Sequence, residues 1–522
     1  CGRADCGLRC FSFDIKGRKA MRYLPGAAQA KAADTYTIEE IRIPSLVLME
    51  RAAYGTVQAL EDRLKENSRI LIVCGSGNNG GDGFAAARIL LRRGHMVHMV
   101  FVGKKESCTK ETKRQMAIFR NCGGRIRKQI EYFEYDIVID AVFGIGLSRR
   151  IEGPYAKHIR QMNELDGFKV AMDIPSGVNS DTGEIMGIAF KADLTVSYGF
   201  EKMGMTFFPG CLYTGRVETL DIGITSRIFQ KDKKVPFCYD KQDIGMMFPK
   251  RKGNTHKGSF GKLLLVAGSR GMAGAAYLSA KAAYASGAGL VQIYTHEDNR
   301  QILQSLIPQA IVSSYQEIDE EQINQLCEWA DAVAVGPGLG TEELSEQVMD
   351  QVLKYNRWPC VIDADGLNLL SRHEGWMKRS KISENKWVLT PHIKEMSRLT
   401  KKDVFDIQKD RKKIVETFAS EHEVICVLKD AVTVASAKDE RLYINTSGNA
   451  SMAKAGSGDV LTGMIGAFLA QGMKEYFAAT AGVYLHGLAG DDASERRGDY
   501  SVLSDDLIDG IGNVIKTARE GR

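Results

Sequence analysis

An apolar run, Ile70-Leu71-Ile72-Val73-Cys74, empties directly into Gly75-Ser76-Gly77-Asn78-Asn79-Gly80-Gly81-Asp82-Gly83, and this junction does most to limit what the chain can fold into. A short, wholly apolar strand followed by glycines is the opening of a β–α unit in a parallel sheet with both faces covered. Read literally, Gly75-x-Gly77-x-x-Gly80 is a phosphate cradle, its backbone N–H groups aimed at an anion ahead of a helix expected from near Phe84. The dinucleotide-binding form of that motif also needs a carboxylate about 20 residues on, at the end of the next strand. That strand falls at residues 96–102, and Gly103-Lys104-Lys105 follow it. No acid stands there, so hydride transfer is not indicated, and Asn78, Asn79 and Asp82 are polar equipment that pyrophosphate binding alone does not require.

The same rhythm continues. Residues 30–64 read as helical, with Thr37-Ile38-Glu39-Glu40 resembling a capping box. Strands are then expected at 70–74, 97–102, 137–141, 169–174, 194–198 and 217–221. Residues 228–249 break the pattern with Lys231-Asp232-Lys233-Lys234, Pro236 and Pro249. A second series follows at 262–268, 290–294, 332–335, 361–362, 387–389 and 424–428, ending in Ala-rich helices. With 522 residues the chain is too long for one core, and the expected organisation is an extension at 1–20, a domain at 21–228, a linker at 229–247 and a domain at 248–522. The fold class is α/β: a Rossmann-like doubly wound parallel sheet, then a second α/β layered domain.

Composition excludes several classes. A formal charge of +5 with interspersed signs does not indicate nucleic acid, and no apolar run is long enough to span a membrane. The cysteines lack CxxC pairs, as in a reduced, cytoplasmic protein. Cys1, Cys6 and Cys10 match no standard zinc spacing, and an unstructured extension ahead of Met21 is the expectation for that segment.

In the first half, three strand ends carry polar groups: Asn79, then Asp140-Ala141-Val142-Phe143-Gly144-Ile145-Gly146-Leu147-Ser148-Arg149-Arg150, then Asp173-Ile174-Pro175-Ser176-Gly177. A parallel sheet brings such ends to one crevice. Oxygen-bearing Asn79, Asp140, Asp173 and Ser176 beside Arg149 and Arg150 suit a phosphate-bearing ligand next to a hard cation. One Asp at a strand end is as readily a helix cap; three corresponding positions are not. Together with Leu46-Val47-Leu48-Met49-Glu50, these segments resemble the NAD(P)H-hydrate epimerase family over residues 29–225. The resemblance implies that Asn78, Asn79, Gly80, Gly81 and Asp82 with Gly144, Ile145, Gly146, Leu147, Ser148, Arg149 and Arg150 bind a hydrated nicotinamide dinucleotide. It further implies that Asp173 contacts the altered ring and acts on it, and that Asn79, Asp140 and Ser176 hold a potassium ion.

In the second half, the strongest signal is Gly456-Ser457-Gly458-Asp459 opening a helix. Free N–H groups at such an end stabilise developing negative charge, and a carboxylate in its first turn can take a hydroxyl proton. No GxxxxGK[ST] loop is present. The run from Asn445 to Gly463, with Gly336-Pro337-Gly338-Leu339-Gly340, Asp363-Ala364-Asp365-Gly366 and Thr390-Pro391-His392, resembles the NAD(P)H-hydrate dehydratase branch of the ribokinase-like superfamily over residues 248–517. By that resemblance Ala275, Gly338, His392 and Asp459 meet the hydrate, and Asp459 is catalytic. Lys429, Asp430, Ala431, Val432, Thr433 and Gly458 would meet ADP, with magnesium. Thr390-Pro391 before it and Glu395 after it set His392 apart from an ordinary loop histidine. Two departures stand out: Asp430 where the family usually has Gly, and Ile393-Lys394 where Pro-Gly is common. Asp430 is expected to point away from phosphates.

The whole implies repair of hydrated NADH and NADPH by a homo-oligomeric enzyme. The alternative is a small-molecule kinase, for hydroxymethylpyrimidine or sugars, behind a non-catalytic N-terminal nucleotide-binding module.

Overall fold

The computed structural model describes residues 22–248, 253–382 and 386–520; the Cys1, Cys6 and Cys10 segment lies outside them. The chain forms two compact units that divide between Pro236 and Phe237.

The first unit holds a seven-stranded, all-parallel sheet in the order Ile126–Arg127, Met96–Phe101, Arg69–Cys74, Ile137–Ala141, Phe168–Met172, Leu194–Tyr198, Arg216–Leu220. Successive strands step outward one way from Arg69–Cys74 and then the other way from Ile137–Ala141. The seam between those two is the switch point of a doubly wound sheet, where a crevice opens at the strands' carboxyl ends. Side-chain alternation sorts the central strand between two cores. Ile70, Ile72 and Cys74 join Phe84, Phe119 and Val57 on one face, and Leu71 and Val73 join Val138, Ile159 and Met162 on the other.

The glycine-rich segment is not a loop before a helix. Helix Asn78–Arg92 starts at Asn78, so its first two turns carry the glycines, and Phe84 lies well inside it. The reason is clearance: a Cβ on Gly80 would sit 2.0 Å from the Gly75 carbonyl oxygen, and one on Gly83 would sit 2.5 Å from Cys74 Sγ. The stretch expected as one helix at 30–64 is two, Ala27–Glu39 and Ser45–Ala59, because Pro44 lacks an N–H and starts the second. Thr37 is no N-cap; it lies near the end of the first helix, its hydroxyl donating to the Ala33 carbonyl at 2.7 Å.

In the second unit the strands run in the order Phe237–Cys238, Tyr443–Ile444, Val434–Ser436, Ile425–Leu428, Trp387–Leu389, Cys360–Ile362, Ala332–Val335, Lys262–Val266, Leu290–His296, Ile311–Tyr315. Pairing is parallel from Ile311–Tyr315 to Ile425–Leu428 and antiparallel through Val434–Ser436 and Tyr443–Ile444. Helices Ala273–Ala285 and Ser457–Ala470 cross so closely that a Cβ on Gly463 would fall 2.1 Å from the Ser279 carbonyl oxygen. The stretch read as a linker carries strand Phe237–Cys238 and helix Lys241–Met247, and Phe237, Tyr239, Ile244 and Met247 are buried in this unit's core.

Candidate active sites

In the first unit a cavity of about 670 Å³ opens at the carboxyl ends of the strands. Asn78, Asn79, Asp82, residues 144–149 and Asp173 line it. Three expected residues do not. Gly80 and Gly81 face the helix seat, Gly81 against Met49 and Thr112, and Arg150 borders a separate hollow with Glu184, Met186 and Pro209.

Asp173 directly follows strand Phe168–Met172 with φ at +67°, a left-handed conformation that costs a non-glycine residue about 1 kcal/mol or more. Its surroundings hold it there: its N–H donates to the Val196 carbonyl at 2.8 Å, and its carboxylate accepts from the Tyr198 N–H at 3.3 Å. The same carboxylate accepts from the Lys202 ammonium, which is 2% exposed and also donates to Ser197 Oγ at 2.9 Å and the Tyr198 carbonyl at 3.2 Å. Sequence reading missed Lys202 and Tyr198. Tyr198 ends strand Leu194–Tyr198, so the strand-end rule that found Asp173 would have reached it; Lys202 lies further on, in the following loop, and gives no such signal. Asp82 is buried, and desolvation, reinforced by Asp173 and Asp34, holds its carboxyl well above the usual range.

Asp140 and Ser176 lie beneath this wall, fully or almost fully buried. The Asp140 carboxylate accepts from the Ser176 N–H and hydroxyl, both at 2.7 Å, and from the Val142 N–H at 3.1 Å. Burial pushes its pKa up to about 6 against those hydrogen bonds. Asn79 donates through Nδ2 to the Phe143 carbonyl at 3.0 Å, while its buried Oδ1 has no hydrogen-bond partner. An orphaned amide oxygen among carboxylate, hydroxyl and carbonyl oxygens is a donor set that fits a hard cation.

In the second unit the expected residues gather around Lys429. It follows strand Ile425–Leu428, where its N–H donates to the Pro391 carbonyl at 2.8 Å and so sets it beside His392. Its ammonium pairs with Asp363 at 2.6 Å and lies 3.4 Å from where a Cβ on Gly458 would be. Asp363 is 1% exposed and takes a second hydrogen bond, at 2.7 Å, from the Thr462 hydroxyl on the Gly456–Asp459 helix. Gly456 caps that helix with φ at +89°. Asp459, in the first turn, is raised to about 7, by burial first, then by Asp363, against the pull of Lys429. Glu395, buried behind His392, is likewise pushed up to about 7, mainly by burial. His392 caps helix Ile393–Thr400 by accepting from two backbone N–H groups at Nδ1, and burial lowers its pKa. Ala275 and Gly338 meet each other, a Cβ on Gly338 falling 2.9 Å from that of Ala275. Of the remaining nucleotide candidates, Asp430 turns to Arg411 at 3.2 Å, Val432 is buried, and Ala431 and Thr433 lie in the turn before strand Val434–Ser436. Asp363, Glu395 and Thr462 are the residues that motif reading left without a role.

The model of the NAD(P)H-hydrate dehydratase family matches residues 263–513, and that of the YjeF-related protein N-terminus matches residues 45–204. A bifunctional NAD(P)H-hydrate repair enzyme of Moorella thermoacetica is 35% identical over 519 residues, covering 95% of this chain and 97% of that one. This chain belongs to the family of bifunctional NAD(P)H-hydrate repair enzymes. The Escherichia coli member of the family is 32% identical over 90% of this chain and 89% of its own length. A hypothetical protein of Streptococcus mutans, 29% identical with a TM-score of 0.50, aligns over its full length with 54% of this chain. Two α/β units, Rossmann-like and ribokinase-like, are thus the architecture of this member of the repair-enzyme family, as its sequence leads one to expect.

Proposed function

We propose that this chain repairs hydrated NADH and NADPH in two steps, residues 21–228 interconverting the R and S hydrates and residues 248–522 dehydrating the S form. The observation that carries the reading is the presence, in one family member, of two sites that each set a carboxylate near a lysine: Asp173 with Lys202 in the first unit, and Asp459 near Lys429 in the second. Membership of a family whose relatives, matched over most of their length, are named bifunctional NAD(P)H-hydrate repair enzymes does not favour the small-molecule kinase with an inert N-terminal module.

In the first crevice, Asn78, Asn79, Asp82 and residues 144–149 bind the dinucleotide and Asp173 meets the hydrated ring. The carbon next to the ring nitrogen sheds its hydroxyl because the nitrogen lone pair supports the cation left behind, and water returns on either face. Lys202 keeps Asp173 aimed and its charge balanced, so that Asp173 can take a proton from the incoming water. Asn79, Asp140 and Ser176 would hold a potassium ion, which supplies fixed positive charge beneath the ligand.

In the second site, Ala275, Gly338 and His392 position the S hydrate, and the Asp459 carboxylate accepts the proton of its ring hydroxyl as the oxygen attacks the terminal phosphoryl group of ADP. AMP departs. Phosphate is a better leaving group than hydroxide, and its elimination restores the reduced cofactor. Lys429 and the N–H groups of the Gly456 helix end neutralise charge on the phosphoryl oxygens. Magnesium is usually held by one or two carboxylates and the phosphates themselves; Asp363 would help to hold it, and the ion would add charge neutralisation. The free cysteines of the described residues suit a cytoplasmic enzyme, and a homo-oligomer is expected from the resemblance.

The test is to incubate the purified chain with mixed hydrate epimers and ADP or ATP. Complete recovery of the reduced cofactor supports both steps; recovery that stops when the S form is spent leaves the dehydratase alone, and no recovery removes the reading.

A further inference from the structure

One wall of the first cavity is not built by the sheet. Helix Ala27–Glu39 presents Ala30, Asp34 and Ile38, four residues apart and so stacked on one face, to the space that Asp173 borders. The helix is anchored at both ends by residues beyond the sheet's central strands: the Ala27 N–H donates to Asp181 Oδ1 at 2.9 Å, and the Thr37 hydroxyl accepts from the Thr225 N–H at 3.1 Å. Asp34 therefore enters the cavity from a different element than Asp173 does, with an apolar neighbour on the turn before and the turn after. Among the described residues Asp34 forms no ion pair, whereas Asp173 is in contact with the Lys202 ammonium.

We propose that Asp34 is a second acid–base group of the epimerase, delivering a proton to the departing hydroxyl while Asp173 receives one from the incoming water. This rests on the reading of the cavity as the epimerase site. In the forward direction the ring C–O bond breaks with both electrons going to oxygen, the Asp34 carboxyl proton joins that oxygen, and water leaves. The nitrogen lone pair moves into a C=N bond, giving a cation. Water then attacks the same carbon from the other face, forming the new C–O bond; its surplus proton passes to the Asp173 carboxylate and the electron pair returns to nitrogen. Exchange with solvent resets both groups, and the reverse epimerisation exchanges their roles.

Two carboxyl groups in one cavity divide into acid and base when their surroundings push them apart. Burial, and after it the negative charge of Asp173, raises the pKa of Asp34, so it retains its proton to higher pH than an ordinary Asp. The Lys202 ammonium is in contact with the carboxylate of its neighbour Asp173. The other charged groups facing the cavity are Lys31 on the same helix, Asp82 on helix Asn78–Arg92, Glu111 and Arg149. Asp173 first, and then Asp34, add to the burial that disfavours ionisation of Asp82.

The test uses the full chain, with Asp34→Asn, Asp34→Glu and Asp173→Asn, following R-to-S conversion against pH. A denaturation transition of the first unit unchanged from that of the unaltered chain shows that each variant is folded, and dehydration of the pure S hydrate in the same samples serves as an internal activity standard. Asp34→Asn is expected to lower the epimerisation kcat by on the order of 100-fold with KM unchanged, and to abolish the decline of rate at high pH that marks loss of the acid's proton. Asp34→Glu is expected to restore part of the rate and the decline. Wild-type kcat and pH profile in Asp34→Asn, with Asp173→Asn inactive, would overturn the proposal. So would a rise in KM at constant kcat, which would make Asp34 a binding contact. A wild-type chain that leaves the R hydrate unconverted removes the underlying reading, and the proposal with it.

Discussion

The two sites use the same ingredients, a carboxylate and a lysine, and dispose of them differently. In the first unit the lysine is given directly to the reactive group: Lys202, buried, contacts Asp173. In the second unit Lys429 pairs instead with the buried Asp363, at 2.6 Å, and Asp459 is left without an ion pair among the described residues. Asp459 feels that lysine only at a distance, and burial brings its pKa to about 7. The difference matches the chemistry each site is proposed to do. Asp173 takes its proton from a water that is already bonding to a cation and is therefore acidic, so it can act with the Lys202 ammonium beside it. Asp459 takes a proton from a neutral hydroxyl and works best with a pKa near the operating pH, which burial without an ion pair gives it.

The sharpest way to break this comparison is Asp459→Asn. Dehydration of the S hydrate should fall about 10³- to 10⁴-fold while R-to-S conversion in the same sample is untouched; a loss of both activities would mean that the sites are not separate. Next in size is Asp173→Asn, which should cost epimerisation about 10²- to 10³-fold and spare dehydration, read by supplying each epimer separately. Lys202→Met tests the counter-charge. Removing one partner of a buried pair costs about 3–5 kcal/mol, so the first unit should unfold at lower denaturant concentration, with the second unit's transition in place. An unchanged first transition would show that the pair carries little.

A smaller effect is the pH dependence of dehydration. Asp459 accepts a proton only as carboxylate, so kcat should rise with pH, fall about tenfold per unit well below the transition, and level above about 7, where the raised pKa lies. A midpoint near the ordinary value for Asp would show that burial does not govern it. The mildest change is Thr462→Val, which leaves Asp363 with Lys429 but takes away its hydroxyl donor. About 1 kcal/mol of the second unit's stability should go, measurable by chemical denaturation.

How much of this was legible in the sequence depended on how local the signal was. Strands 137–141, 194–198 and 332–335 could be read to the residue, because each is short, rich in β-formers and buried on both faces. Ile311–Tyr315 escaped: it is an edge strand with Ile311 44% exposed, and its Ser313-Ser314 pair hides the pattern. The site divides along the same line. Asp140, Asp173 and His392 announce themselves as polar residues at the ends of apolar runs. Lys202 sits in a glycine-flanked loop, Asp363 looked like part of a family string, and Asp34 is one acid on an Ala-rich helix. Nothing local distinguishes them, since it is the folded sheet that brings Lys202 beneath Asp173 and the N-terminal helix that brings Asp34 into the cavity. The glycine run misled in the other direction. It read as a ligand cradle, and two of its glycines are there because the helix lies flush on the sheet.

The helix that carries Asp34 has one more consequence. The family match to the first unit begins at residue 45, behind helix Ala27–Glu39. A fragment trimmed to the matched region would retain the glycine run, Asp140, Asp173 and Lys202, every feature by which the family is recognised, and would lose a side of its reaction vessel. Such a fragment would be an open trough exposed to bulk water, able to pass for the epimerase by its motifs and unable to control which protons reach the ring.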